Sequence, residues 1–207
     1  MQEATAHLQA ALDCAADAGE TPPLQELEIR VDLAAALRVV DQNDRARDVL
    51  GPAECAARDG NHTAMLARIM NLQGNLDFAS SRLDDCLARH TAALDCARQA
   101  GDRQEEAHAL SGLGDANFQR GRMISAEAHI AACAELCRAE GFDRLHTVNL
   151  ALRGHMRVYL AQLPAAREDC LASAAQAEAR NYRRAEMIAR GSCLAKALVE
   201  LGEADAA

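Results

Sequence analysis

Aromatic residues are nearly absent from this chain of 207 residues, which contains three phenylalanines, two tyrosines and no tryptophan. β-Branched residues are also sparse, and apolar residues do not alternate with polar ones as they do along a half-buried strand. Alanine supplies much of the hydrophobic half of the composition. The remaining strong period is that of the amphipathic helix, so the sequence predicts an all-α protein.

The chain also lacks a basic surface. Its formal net charge is -9, and Lys196 is its only lysine. Binding of nucleic acid needs cationic side chains that neutralise phosphates, so we expect no nucleic-acid partner. No segment approaches the roughly 20 apolar residues of a membrane-spanning helix, and the residues after Met1 resemble a charged amphipathic helix rather than a signal peptide. We therefore expect a cytoplasmic protein with no membrane partner.

Motifs of catalysis and metal binding are missing as well. There is no Cys-x-x-Cys pair, no phosphate-binding loop and no His-Glu-x-x-His pattern. The eight cysteines lie beside alanines within helical segments, which is typical of small buried residues in a reducing compartment. His129, Cys133 and Cys137 share one helix face, but eight residues of helix span about 12 Å, so at most two of them could bind one zinc ion. We expect no enzyme activity, no catalytic residues, no metal and no cofactor.

The sequence does contain a repeat, seen in three series of small residues with a common period. The first series is evenly spaced: Gly74, Gly114 and Gly154. The second has the same spacing to within one position: Ala6, Ala46, Cys86, Ala126, Ala166 and Ala207. The third also keeps that spacing to within one position: Gly19, Gly60, Gly101, Gly141 and Asn181. Three series with one period of about 40 residues indicate an array of repeated units.

Each series predicts a structural role. Gly74, Gly114 and Gly154 fall within helices, so we expect them where two helices approach closely, opposite the small residues of the second series. The third series follows helical runs and suits the left-handed residue that ends a helix. Gly121 and Gly202 are expected in the turns within helix pairs. The Gly51-Pro52 pair falls inside a helical segment, where we expect a kink or a break.

These assignments predict a single array over 1–207. It begins with a lone helix at 3–18, continues with helix pairs at 24–58, 62–100, 104–140 and 144–180, and ends with an incomplete pair at 183–207. Because an incomplete pair would expose an apolar face, we also expect the chain to be an excerpt of a longer protein.

The repeats resemble tetratricopeptide (TPR) repeats. The best match is Leu110-x2-Leu113-Gly114-x2-Asn117 followed by Ala126-x3-Ile130, against the family pattern W-x2-L-G-x2-Y and A-x3-F. The period of about 40 exceeds the usual 34 or so of the family and lies within the range of about 40–47 for HEAT-type repeats, which are the alternative. The resemblance implies an α-solenoid of antiparallel helix pairs, a right-handed superhelix of about ten helices. It is similar to TPR arrays of bacterial signalling proteins that carry cyclase, ATPase or DNA-binding modules.

The resemblance also implies a binding groove lined by the first helix of each pair. One stripe follows that helix in steps of three and four residues and is polar with interspersed aromatic residues. Its side chains are expected to face solvent, because buried polar groups would need partners. The candidate groove residues are Arg68, Asn71, Asn75, Phe78, His108, Ser111, Asp115, Phe118, His155 and Tyr159.

The sequence therefore predicts a protein-interaction or regulatory scaffold that binds a peptide or a domain, of a partner or of the same chain, in this groove. One alternative is a homodimer formed through the incomplete C-terminal edge at 183–207. Another is a small-molecule sensor with its ligand among His108, Asp115, His155 and Tyr159.

Overall fold

The computed structural model describes residues 2–18 and 23–202, and every regular element in these ranges is a helix. The last helix consists of three consecutive segments, of which the middle one is a π-helix. The ten helices are α1 (Gln2–Ala18), α2 (Pro23–Val39), α3 (Asn43–Asp59), α4 (Thr63–Ala79), α5 (Leu83–Ala100), α6 (Arg103–Gln119), α7 (Met123–Glu140), α8 (Asp143–Tyr159), α9 (Leu163–Ala179) and α10 (Arg183–Met187, Ile188–Leu194 and Ala195–Glu200). The all-α prediction is confirmed.

The chain divides into two compact units, residues 1–109 and 110–207, with the division inside α6. In the first unit, each helix from α1 to α4 packs against the next one. Its core contains the fully buried Leu37, Leu50 and Ile69. In the second unit, α7, α8, α9 and α10 pack in succession, and Ile130 and Met156 are fully buried.

The turns between helices share one backbone device, a single residue in the left-handed region. Its φ lies between 53° and 74°, and it recurs at equal intervals along the chain: Asp41, Asn61, Ser81, Gly101, Gly121, Gly141, Ala161 and Asn181. The predicted left-handed role is confirmed for Gly101, Gly141 and Asn181 but is wrong for Gly60, whose φ is -83°. Asn61 takes that conformation instead, since asparagine tolerates it and stands in the regular register. Gly19 lies outside the described residues.

The predicted close approach at the helical glycines is confirmed. A Cβ atom would lie 2.6 Å from His90 Nε2 at Gly74 and 2.6 Å from Cys170 Sγ at Gly154, and it would overlap the Ile130 side chain at Gly114. In the second series Ala46, Cys86, Ala126 and Ala166 are fully buried, Ala6 is exposed, and Ala207 lies outside the described residues. Side-chain volume at these glycines would therefore push paired helices apart.

The predicted interruption at Gly51-Pro52 is wrong as far as a break is concerned, because α3 runs continuously through Pro52. A proline ring also clashes with the Cβ and N–H of the preceding residue, and Gly51 has no Cβ. Gly51 and Pro52 are exposed, as is Asp48, so water can reach the carbonyl of Asp48 that a proline leaves without a donor.

The eight cysteines form no disulfide, and five of them are buried as predicted. Cys14 and Cys55 are exposed and Cys96 is half-buried, so the burial prediction is wrong for these three. No helix in the described part of the chain is both long and apolar enough to cross a bilayer.

Candidate functional site

The ten candidate groove residues fall into both units. Arg68, Asn71, Asn75 and Phe78 of α4 belong to the first unit, as does His108 near the middle of α6. Ser111, Asp115 and Phe118 of α6 and His155 and Tyr159 of α8 belong to the second.

In the first unit, two of the candidates have charged partners. Arg68 of α4 pairs with Asp32 of α2, and both side chains are partly exposed. His108 Nδ1 lies 3.4 Å from Glu105 Oε1, and 41% of the His108 side chain is exposed. Asn75 and Phe78 are half-buried. These four residues retain a solvent-accessible portion.

Asn71 departs from the prediction of a solvent-facing stripe, because only 3% of it is exposed. Its Nδ2 donates to the backbone oxygen of Glu105 at 3.0 Å and to Glu105 Oε2 at 2.8 Å. Its Oδ1 lies 3.0 Å from Nδ1 of the buried His90. The amide therefore has the buried partners that sequence reasoning did not foresee, and it joins α4, α5 and α6 rather than facing a ligand.

In the second unit, three of the candidates form an aromatic patch, defined here as Phe118, His155 and Tyr159. The ring centroids of Phe118 and His155 are 5.3 Å apart, those of Phe118 and Tyr159 are 5.7 Å apart in an edge-to-face arrangement, and those of His155 and Tyr159 are 5.3 Å apart. The outer member is Tyr159, which is 50% exposed, whereas Phe118 also packs against the core residues Ala126, Ile130 and Met156. The patch thus has a rigid base in the core and an exposed tyrosine.

Asp115 stands one helical turn before Phe118, on the same side of α6. It is half-buried, and none of the described residues forms an ion pair or a hydrogen bond with its carboxyl group. Burial without such a partner raises the pKa of Asp115 from 3.8 to about 6. Ser111, one turn earlier, is also half-buried.

Sequence reasoning missed one neighbour of the aromatic patch. Lys196 Nζ of α10 lies 3.8 Å from the centroid of the Tyr159 ring, within the range of a cation–π contact. Burial, and secondarily the charge of Lys196, lowers the pKa of His155. Lys196 is the only lysine of the chain, which was the one signal that could have drawn attention to it.

The weak metal candidate does not assemble. Cys133 and Cys137 are buried with their Sγ atoms 3.9 Å apart, and His129 Nδ1 lies 2.7 Å from the backbone oxygen of Ser125. The contact with Cys137, together with burial, raises the pKa of the Cys133 thiol. No group of three or more potential metal ligands lies together in the described ranges.

Comparisons with known proteins define the fold but not the family. No protein-family model matches the sequence. No curated protein matches it. The structure is similar to that of BtubC (BKLC) from P. vanneervenii, with a TM-score of 0.78 and 15% identity over 99% of this chain and 87% of that one.

It is also similar to a signal transduction ATPase with numerous domains (STAND) protein with a tetratricopeptide repeat sensor from Pyrococcus horikoshii. That similarity has a TM-score of 0.67 and 18% identity over 80% of this chain, but it spans only 26% of the length of the STAND protein. The chain therefore has the fold of a TPR-like helical repeat.

Proposed function

We propose that the chain is a protein-interaction module that binds a peptide segment or a domain of a partner protein at the aromatic patch of α6 and α8. The observation that carries the proposal is the half-exposed Tyr159, held edge-to-face against Phe118. Asp115, whose carboxyl has no ion pair or hydrogen bond among the described residues, stands one helical turn before Phe118. Partners that such a surface fits combine an apolar or aromatic group with a cationic side chain.

The aromatic part of this surface suits an anchor contact. Tyrosine is enriched among residues that dominate binding energy, since it offers a large apolar ring and one polar group at a small entropic cost. Phe118 and His155 hold the Tyr159 ring in place, so little conformational freedom remains to be lost on binding. In a chain with so few aromatic residues, three of its aromatic or imidazole rings meet at this point.

The charged part of this surface favours a cation. Asp115 has no cationic partner among the described residues, and an arginine or lysine of the bound segment would supply one. The contact between Lys196 and Tyr159 supports the same preference, because it is a cation resting on a ring of the aromatic patch. The net charge of -9 would also attract basic partners at low ionic strength.

The setting we propose is the regulatory arm of a larger cytoplasmic bacterial signalling protein. Similarity to a protein with a TPR sensor supports this setting through the fold alone. Because TPR-like repeats commonly present binding surfaces on paired helices, a regulatory contact with another domain fits the same patch. The proposal includes no catalytic step.

The experiment is a selection of random dodecapeptides displayed on phage, with the wild-type chain as bait. We expect enriched peptides to carry arginine or lysine near an aromatic residue, and their dissociation constants to rise about tenfold or more in Tyr159→Ala and in Asp115→Asn. Tyr182→Ala is the matched control, since it removes the other tyrosine, which lies outside the patch. Enriched peptides that bind Tyr159→Ala as well as wild type would exclude the patch as the binding site.

Self-association through α10 is a second candidate. Met187 and Val199 of α10 are 65% and 57% exposed, so this helix presents two large apolar side chains to solvent. Light scattering over a dilution series of wild type and Met187→Glu tests this candidate. A concentration-dependent dimer that Met187→Glu abolishes would support it, and a monomer at the highest concentration would exclude it.

A further inference from the structure

A further polar surface belongs to the first unit. It is a cleft with a volume of about 170 Å³, called here the arginine cleft, and it opens among α3, α4 and α5. Three of its lining residues are arginines and only one is acidic: Arg47, Gln73, Asp77, Arg82 and Arg89. In a chain with a net charge of -9, such a concentration of guanidinium groups needs an explanation.

The carboxylates near the arginine cleft are already engaged. Asp77, whose side chain is 9% exposed, pairs with Arg82 and lies 3.9 Å from Arg47. Glu54 accepts from Arg89 at 3.2 Å and from Arg58, which lies outside the cleft, at 2.8 Å. Arg47 and Arg82 also approach the exposed Asp44 and Asp85, but water screens such exposed pairs strongly.

Two buried polar atoms of the lining lack partners among the described residues. Arg47 Nε is a donor without an acceptor, which an anionic oxygen would supply. Gln73 Oε1 is an acceptor without a donor, and because a carboxylate only accepts hydrogen bonds, this atom does not count toward an anionic occupant. Buried polar atoms are nearly always hydrogen-bonded, so exceptions call for an occupant that forms hydrogen bonds. The guanidinium of Arg47 is otherwise well anchored, since its Nη2 donates to the backbone oxygen of Leu76 and to Ser80 Oγ, both at 2.7 Å. The arginine cleft is thus a fixed polar site with unused hydrogen-bonding capacity.

The second unit contains the same site in a balanced form. Four residues stand two repeats after Arg47, Gln73, Asp77 and Arg89 in the same register, namely Glu127, Arg153, Arg157 and Asp169. Arg153 donates to both oxygens of Asp169 at 2.9 and 2.7 Å, and Arg157 donates to Asp169 at 2.8 Å and to Glu127 at 3.1 Å. Two guanidinium groups therefore pair with two carboxylates, so the formal charges of this cluster are balanced.

The comparison identifies what the first unit lacks. At the four matched positions the second unit has two positive and two negative residues, whereas the first unit has two positive residues, one negative residue and a glutamine. The first unit also contributes Arg82 and Glu54, whose opposite formal charges cancel. One carboxylate is missing from the arginine cleft relative to the balanced cluster. We propose that the arginine cleft binds a carboxylate group from outside the chain.

The occupant is recognised by shared chemistry, which a small organic acid or an acidic residue of a polypeptide could present. A carboxylate suits the arginines because a guanidinium binds its two oxygens in parallel. The proposal does not depend on the aromatic patch, which belongs to the other unit and favours a cation. Loss of either activity therefore leaves the other testable.

The test uses the full chain labelled with ¹⁵N, with glutarate as the probe and sodium chloride adjusted to keep the ionic strength constant. We expect saturable shifts of arginine Nε–H signals with a dissociation constant of about 1 mM, which is typical of a single small anion. Arg89→Gln should weaken binding about tenfold or more. Arg58→Gln is the matched control, because it also removes an arginine partner of Glu54 but leaves the lining intact.

Circular dichroism establishes whether each variant is folded. If Arg89→Gln unfolds, Arg82→Gln replaces it, because this substitution alters a half-exposed side chain. A peptide ending in two glutamates distinguishes the sources, since tighter binding than glutarate assigns a polypeptide partner and equal binding assigns a small acid. The proposal is overturned if no shift saturates, if Arg58→Gln weakens binding as much as Arg89→Gln does, or if inorganic phosphate binds more tightly than glutarate.

Discussion

The imidazole of His90 lies against the backbone of Gly74, so that a methyl group at residue 74 would come within 2.6 Å of His90 Nε2. His90 is 1% exposed, and its Nδ1 is 3.0 Å from Asn71 Oδ1, which holds the ring in place. The His90 ring therefore determines the distance between α4 and α5, because Asn71 keeps it from moving away from Gly74. This contact replaces the aliphatic packing that Ile130 provides at Gly114.

Gly74→Ala is expected to lower the free energy of unfolding by about 1–2 kcal/mol. Overpacking costs about 1–3 kcal/mol, and the better helix propensity of alanine recovers about 1 kcal/mol at most. Urea denaturation followed by circular dichroism measures the change. Gly191→Ala is the control, because no atom lies within 4 Å of its added Cβ, and it should not destabilise the protein. Equal effects of the two substitutions would contradict the close contact.

The histidine also predicts a dependence of stability on pH. Burial, and secondarily the charge of His108, lowers the pKa of His90 from 6.5 to about 4. As pH falls below about 6.5, the unfolded chain therefore binds a proton at His90 that the folded chain does not bind. The contribution of His90 to the free energy of unfolding is fully present above about pH 6.5 and is lost as pH falls towards 4. The loss reaches about 3 kcal/mol.

The measurement is the free energy of unfolding of wild type minus that of His90→Gln across this range. Asn71, Glu105 and His108 surround or influence the ring, and the lowered pKa of Glu105 adds a loss at more acidic pH in both proteins. Subtraction of the variant removes that contribution to first order. A difference that stays constant from about pH 6.5 to 4 would show that His90 is not held neutral by the fold.

For Asp115 we expect the opposite dependence of stability on pH. Because burial raises its pKa from 3.8 to about 6, the folded state favours the protonated acid, and stability decreases as pH rises through this interval. Asp115→Asn should therefore stabilise the chain by about 1–3 kcal/mol at neutral pH, with a gain that fades below about pH 4. Thermal unfolding at both pH values tests it, with the fully exposed Asp44 replaced by Asn as the control. Destabilisation at neutral pH would indicate that the Asp115 carboxylate has a partner in the folded state.

The sequence was sufficient to predict the helices and their period because the same small residues recur at each close contact. Gly74, Gly114 and Gly154 could be assigned to helix contacts from their spacing, since only close packing explains glycine within a helix at a fixed interval. The left-handed residue at Asn61 was missed because Gly60, the residue before it, has the more permissive backbone. Small errors of this kind arise where two adjacent residues can both adopt the required conformation.

The candidate site was predicted only in part. Helix periodicity placed Asp115 and Phe118 on one side of α6, but it could not show that Asn71 finds buried partners on two other helices. It also missed Lys196, which approaches Tyr159 from a helix much later in the chain. The arginine cleft was missed for the same reason, since its charges come from three helices and have no common spacing. Polar networks between distant segments depend on tertiary packing, which a single period does not encode.

The turn after α8 contains Ala161, the only alanine with a positive φ in the described ranges. Its φ is 56°, and a left-handed backbone costs a residue with a Cβ about 1–2 kcal/mol. Ala161→Gly should therefore raise the free energy of unfolding by about 1 kcal/mol, or the melting temperature by about 2–4 °C. Gly121→Ala, one repeat earlier in the same register and with open space around its Cβ, should lower stability by a similar amount. Parallel effects of the two substitutions, rather than opposite ones, would show that the turns are not governed by this backbone conformation.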